Sequence, residues 1–338
     1  MSSQRLATYW RHTGTVKHGD IVTLMLDNNV HYYTPVLASW LCGAGLSLSD
    51  PDTNMTTLTS QLNIANSSTV VISPRLGHKI QALKESCPWL KIFSMGACNE
   101  SAQDVTTIFN DPEMDLKRKL INDDDMETNL DDIAAIFWSS GTTGLPKGIT
   151  YKHRHFLQST LLAEKKSELG LTLTSSCMFH ASTFPKILNC LIVNATNVII
   201  LDSNCSTEEI LQAVDDWAPF RALIKSFHFA KIASSAAKCP VGNWNLRSLH
   251  EIVTLGSRIP AKYEAMMRHN VPSVKTIGNL YGMTEVGLIS QSETLANIGQ
   301  PLPDIQTKII DTETGDLVTE GNQGELCVKS GQRWVTLG

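Results

Sequence analysis

The segment Ser139-Ser140-Gly141-Thr142-Thr143-Gly144-Leu145-Pro146-Lys147-Gly148 concentrates groups that bind anions. Its glycines allow tight backbone curvature and close approach to a ligand. Its hydroxyls supply donors and Lys147 supplies a positive charge, which is the chemistry of a loop wrapped around phosphate oxygens. The competing reading is a flexible Gly/Thr loop. It is not a P-loop: Lys147 lies between Pro146 and Gly148, and no Ser or Thr follows it to hold magnesium. Nor is Gly43-Ala44-Gly45 a dinucleotide fingerprint, since Leu48 occupies the third glycine position. Cysteines stand at 42, 87, 98, 177, 190, 205, 239 and 327, with no Cys-x-x-Cys pair and no His cluster at metal spacing. They read as reduced, mostly buried thiols.

A loop of this kind needs a buried strand behind it, and Ile133 to Trp138 is such a run. Similar short apolar runs occur at Ile21–Leu26, Thr69–Ser73, Trp89–Phe93, Asn197–Leu201, Ala222–Ile224 and Ile252–Leu255. Between them, His31–Cys42 carries Val36, Leu37, Trp40 and Leu41 at helical spacing, and a further helix is expected from about Gly77 to Glu85. Continuous apolar strands separated by helices predict largely parallel sheets covered on both faces. From Gln306 to Val328 the pattern changes to short strands joined by glycine turns, hence antiparallel. The acidic stretch Asn122–Asp132 reads as a solvated linker.

The composition, 338 residues with 42% hydrophobic and 18% charged, excludes a disordered tail, a collagen-like fibre and a small disulfide scaffold. At roughly 150 residues per folding unit, the length predicts about two lobes. A net charge of -5 offers no basic excess for a phosphate backbone, so no nucleic-acid partner is expected. Met1–Trp10 has no signal-peptide core. No stretch reaches the roughly 18 apolar residues of a membrane helix, so no transmembrane segment is expected. Ile187–Leu201, interrupted by Asn189, Asn194 and Asn197, reads as buried core. An intracellular location follows, cytoplasmic or peroxisomal, although Thr336-Leu337-Gly338 is no peroxisomal tripeptide.

Trp138–Gly148 resembles the signature loop of the adenylate-forming superfamily, which includes acyl-CoA synthetases, 4-coumarate-CoA ligases, luciferases and adenylation domains of peptide synthetases. Other stretches agree in order. Met178-Phe179-His180 resembles the family's Phe-His motif, and Leu255–Pro260 its adenine loop. Asn279–Glu285 resembles its Tyr-Gly-x-Thr-Glu motif, and Gly324–Val328 a strand of its small barrel. The resemblance implies an α/β fold: two largely parallel sheets sandwiched by helices, plus part of a small antiparallel β-barrel, as in the family's large N-terminal domain. The implied division is 1–165, a first subdomain ending in the phosphate loop; 166–295, a second with acyl and adenine sites; and 296–338, a partial barrel.

The implied reaction joins a carboxylic acid to ATP as an acyl adenylate, which coenzyme A then attacks. Two anions must approach, so phosphate charge must be neutralised. By resemblance, Ser139, Ser140, Gly141, Thr142, Thr143, Gly144 and Lys147 hold the β- and γ-phosphates. Thr284 bonds the α-phosphate, and Glu285 coordinates magnesium, a hard cation suited to carboxylate and phosphate oxygens. For Glu285 alone the competing reading is a solvated loop acid. Adenine lies between Gly256-Ser257-Arg258 and Tyr281-Gly282, with Arg258 where a small residue is usual. His180 guides the acid, against the alternative of a packed core histidine. Phe179, Phe184, Phe227 and Phe229 are candidate walls for a fatty or aryl acid, or plain core.

Members of the family usually continue past the Gly-Glu-Leu segment with a Thr-Gly-Asp segment that grips the ribose, then a small domain carrying a catalytic lysine. Here Thr314-Gly315-Asp316 lies in a hairpin turn, and the chain reaches Leu337-Gly338 first. It also opens in what reads as the first core helix, around Gln4–Trp10. The expectation is therefore an acid–thiol ligase truncated at both ends, impaired in adenylation. The alternatives are a catalytically inactive nucleotide- or acyl-binding protein and a luciferase-like oxygenase.

Overall fold

In the computed structural model, the continuous apolar runs become the inner strands of two sheets. It describes residues 1–98, 102–118, 129–139, 146–157, 170–192, 197–199, 202, 204–238, 244–303, 305–330 and 333–337. The chain divides into two units, Met1–Ser167 with Cys177–Asn189, and Glu168–Ser176 with Cys190–Gly338.

The first unit contains β1 (Ile21–Met25), β2 (Gly45–Leu48), β3 (Ser67–Ile72), β4 (Lys91–Ser94), β5 (Gln103–Asp104), β6 (Ile133–Ser139) and β7 (Lys147–Lys152). Their spatial order is β5-β4-β3-β1-β2-β6-β7. All neighbours are parallel except β6 and β7, which are antiparallel. Every residue of β1 and β2 is buried, as expected of strands covered on both faces. The helix Met55–Ile64 and the helix Ile80–Ser86 contribute Leu58, Leu62 and Leu83 to a core with Met25, Val70 and Ile72. The helix read around Gln4–Trp10 spans Ser2–His12 and buries Leu6 and Trp10. Gly45 is required by close packing: a Cβ there would stand 2.7 Å from the Ile133 carbonyl oxygen.

The second unit contains β8 (Thr172–Thr174), β9 (Asn197–Ile199), β10 (Arg221–Lys225), β11 (Glu251–Leu255), β12 (Thr276–Met283), β13 (Gly287–Ser292) and β14 (Gln300–Pro301), in the order β14-β13-β12-β11-β10-β8-β9. β8 to β12 are parallel, and β13 and β14 return antiparallel. The helix Thr207–Trp217 starts in a capping box between Ser206 and Glu209. Its Ile210, Leu211 and Val214 join Ile224, Phe229, Ile252 and Ile277 in the core. β15 (Ile305–Ile310), β16 (Glu325–Ser330) and β17 (Arg333–Leu337) form a three-stranded antiparallel sheet. No closed barrel forms among the described residues.

Two expectations change in detail, and a third lies mostly outside the described residues. The helix read from Gly77 begins as a 3-10 helix, Pro74–Lys79, and becomes α-helical only at Ile80–Ser86. Pro74 supplies a fixed φ but no N–H, and Gly77 lends the helix little support. Ile187–Leu201 is only partly core: Ile187 and Leu188 are buried, whereas Leu191 and Ile192 on the same helix, Phe184–Ile192, are 53% exposed. Most of the acidic stretch Asn122–Asp132 lies outside the described residues; its end is a turn in which Asp132 N–H donates to Asn129 O at 3.0 Å.

Candidate functional site

In the first unit, Ser139 and Lys147 are cross-strand partners on β6 and β7, so the glycine segment starts and ends at one point of the sheet edge. Ser140, Gly141, Thr142, Thr143 and Gly144 lie outside the described residues. The Ser139 hydroxyl is buried and has no hydrogen-bond partner among the described residues, and Lys147 is exposed. A buried polar atom left unpaired is costly and asks for an explanation. Trp138 Nε1–H donates to Ser47 Oγ at 3.1 Å, fixing the end of β6 to β2. Gly148 lets β7 pass that indole, because a Cβ there would stand 3.2 Å from the ring. Behind β6, Phe137 packs on Tyr151 at 5.1 Å and on Phe184 at 5.7 Å between centroids. Tyr33 Oη donates to Phe184 O at 2.6 Å.

His180 also belongs to the first unit. Cys177–His180 is a turn closed by His180 N–H donating to Cys177 O at 3.2 Å. The His180 carbonyl then accepts from Thr183 and Phe184, opening the helix Phe184–Ile192. His180 is exposed, and its ring lies 5.4 Å from the Phe179 ring. Met178 N–H donates to Asn28 Oδ1 at 2.7 Å across 150 residues of sequence. No sequence signal singled out Asn28.

In the second unit, Lys225 pairs with Leu255 and Leu255 with Leu280, so β10 and β11 end level with Leu280, while β12 runs on to Met283. Ser226 and Gly256 follow the ends of β10 and β11 directly, and Tyr281 is the next residue of β12. Gly256 has φ +102° with open space around it, so conformation rather than room calls for glycine. Ser226 Oγ lies 3.0 Å from Leu255 O and 2.7 Å from Ser257 O, and accepts from Ser257 N at 3.3 Å. Ser226 therefore holds the Gly256-Ser257-Arg258 loop, whose three residues are exposed.

Tyr281 is half-buried and precedes an irregularity of register at Gly282. A Cβ on Gly282 would stand 2.3 Å from Gly287 O, so β12 and β13 close only around glycine. Thr284 and Glu285 lie at the tip of that hairpin, half-buried, with Val286 N–H donating to Met283 O at 3.3 Å. Among the described residues no three His, Cys, Asp or Glu groups gather as a metal site. Glu285 is a single carboxylate, which fits a magnesium ion held chiefly by phosphate oxygens and water.

Of the candidate aromatic walls, Phe184 and Phe229 are core, Phe179 is half-buried and Phe227 is 59% exposed. His228, next to Phe227 and Phe229 in the chain, is buried, with Nδ1 unpartnered among the described residues. Burial, then Lys225 and Lys231, hold its imidazole below the ordinary range.

A family model described as AMP-binding enzyme matches residues 2–338. A 4-coumarate-CoA ligase of Humulus lupulus is 25% identical, the match covering 94% of this chain and 59% of that protein. 4-Coumarate-CoA ligase 1 of Narcissus pseudonarcissus is 22% identical, covering 98% of this chain and 61% of that protein. The chain thus spans about three-fifths of the length of these curated relatives. Among solved structures, the anthranilate CoA ligase AuaEII in complex with anthranoyl-AMP superposes with a TM-score of 0.84 at 17% identity, covering 98% of this chain and 64% of that one. The luciferase-like enzyme of the nonluminescent Zophobas morio mealworm gives 0.81 at 21% identity, covering 97% and 77%. At such identities the superpositions establish a shared fold.

Proposed function

The chain belongs to the AMP-binding enzyme family, and from that membership we propose that the protein is an ATP-dependent acid–thiol ligase acting on an aryl or fatty carboxylic acid. A carboxylate oxygen attacks the α-phosphorus of ATP, and the bond to the bridging oxygen breaks with its electron pair leaving on pyrophosphate. The thiol of coenzyme A then adds to the acyl carbon, loses its proton, and AMP departs. The relatives named for 4-coumarate and anthranilate support an aryl acid as the first substrate to try.

Ser139, Ser140, Gly141, Thr142, Thr143, Gly144 and Lys147 take the β- and γ-phosphates, where Lys147 offsets charge that would repel the incoming carboxylate. Thr284 donates to the α-phosphate. Gly256, Ser257 and Arg258 with Tyr281 and Gly282 receive the adenine, and His180 orients the acid. Magnesium, when bound, neutralises phosphate charge beside Glu285.

This reading is carried by the buried hydroxyl of Ser139, which has no partner among the described residues and sits opposite Lys147 in the register of the sheet edge. Its test is acid-dependent exchange of labelled pyrophosphate into ATP by the purified protein, across a panel of aryl and fatty acids. Lys147→Ala is expected to raise KM for ATP about ten- to a hundredfold, the worth of one charge-assisted hydrogen bond. An unchanged KM would remove Lys147 from the phosphate site. ATP binding without exchange would favour a binding protein over a ligase.

A further inference from the structure

We propose that Asn28 is a positioning residue for His180, setting the turn that presents its imidazole; this rests on the reading of His180 as the residue that orients the acid. Asn28 is 4% exposed and Met178 1% exposed, so their 2.7 Å hydrogen bond is shielded from water. Met178 is the second residue of the Cys177–His180 turn, in which Cys177 is also buried. With the Met178 amide fixed on one side and the His180 carbonyl committed to Thr183 and Phe184 on the other, the backbone on both sides of His180 is held. His180 itself is exposed.

The acceptor is itself braced. Asp27 N–H donates to Ser73 Oγ at 2.8 Å, and Asn29 Nδ2 donates to Asp27 O at 2.9 Å. Arg75 donates to both Asp27 carboxylate oxygens, at 2.8 and 2.7 Å, and reaches Asp52 at 2.8 Å. Residues following β1, β2 and β3 thereby clamp the loop that carries Asn28. A 1 Å misplacement of a reacting group can cost on the order of 10²-fold in rate, so this brace has kinetic weight.

Asn28→Leu keeps the bulk and removes the acceptor, whereas Asn28→Asp keeps an acceptor oxygen. Asn28→Leu should lower kcat for acid-dependent pyrophosphate exchange roughly 10- to 100-fold, with KM for ATP within about twofold. Asn28→Asp should recover most of that loss. In a His180→Ala background, Asn28→Leu should cost nothing further, because the two residues act as one unit. Additive losses in that background would overturn the proposal, as would an equal loss from the Asp variant.

Amide exchange supplies a readout independent of activity. The Met178 amide should be protected in the unaltered protein and exchange at least about tenfold faster in Asn28→Leu, but not in Asn28→Asp, with the helix Phe184–Ile192 unaffected. An unprotected Met178 amide in the unaltered protein would overturn the proposal. If Asn28→Leu does not fold, Asn28→Ser, which draws the acceptor back, is read in the same way. Absence of exchange activity in the unaltered protein would defeat the ligase reading, and the Met178 amide would then decide the positioning role alone.

Discussion

Ser226 shows how much one hydroxyl can organise. It follows β10, yet its contacts are to the end of β11, where Leu255 O and Ser257 O lie 3.0 and 2.7 Å away. A single hydroxyl proton shared between two carbonyls, with an N–H accepted in return, ties two crossovers together at the sheet's carboxyl edge, where open α/β sheets bind ligands. Ser226→Ala should destabilise the second unit by about 1 kcal/mol, the typical net value of one hydrogen bond with some cost for the carbonyls left behind. Urea unfolding measures that loss, and amide exchange at Ser257 should quicken. If this loop receives adenine, the same variant weakens ATP binding while sparing pyrophosphate binding. Equal weakening of both would detach Ser226 from the adenine loop.

The hairpin of β12 and β13 is the element that presents Tyr281, Thr284 and Glu285, and its closure depends on Gly282. Alanine there would place Cβ 2.3 Å from Gly287 O, a backbone atom that cannot swing away, so the strands must separate. Gly282→Ala should cost about 1–3 kcal/mol, the usual range for overpacking, and should displace the hairpin tip. Gly256→Ala meets no neighbour and pays only for its positive φ, so it should cost less. Thermal unfolding of the two variants side by side checks the order. The inner strands were legible because β1, β10 and β11 are continuous apolar runs, a pattern that follows from burial on both faces. β13 and β14 were not, because Gly287–Ser292 mixes polar and apolar residues and Gln300–Pro301 is too short to carry a period. The glycine segment announced itself by composition, but the pairing of Ser139 with Lys147 is a register, which composition does not encode. Asn28 stayed invisible for a related reason: its importance lies in a partner distant in sequence, and Asn is common everywhere.

For the molecule as a whole, buried His228, half-buried His153 and a braced carboxylate predict acid destabilisation in two separate windows. Burial, then Lys225 and Lys231, depress His228, and burial depresses His153 against the opposing pull of Asp132. An unfolded histidine takes up its proton near pH 6.5. The native sites refuse it there, so the unfolded state binds more protons and stability falls as pH drops from about 6.5 towards the native values. The slope is at most about 1.4 kcal/mol per pH unit for each histidine. Asp27 behaves differently. Burial raises it, but the bonds from Arg75 and Ser73 outweigh burial and hold it below its usual range. Its contribution is complete above about pH 4 and is lost as pH falls through the depressed value, so it belongs to a second, more acidic window. Calorimetric midpoints taken from about pH 7.5 to about pH 3 should therefore decline in two stages. His228→Gln should flatten the first stage and leave the second. Asp27→Asn should lower the midpoint at neutral pH, because it removes the carboxylate that Arg75 grips, and should flatten the second stage. A single transition near pH 4, unchanged by His228→Gln, would mean that the buried imidazole is protonated in the native protein.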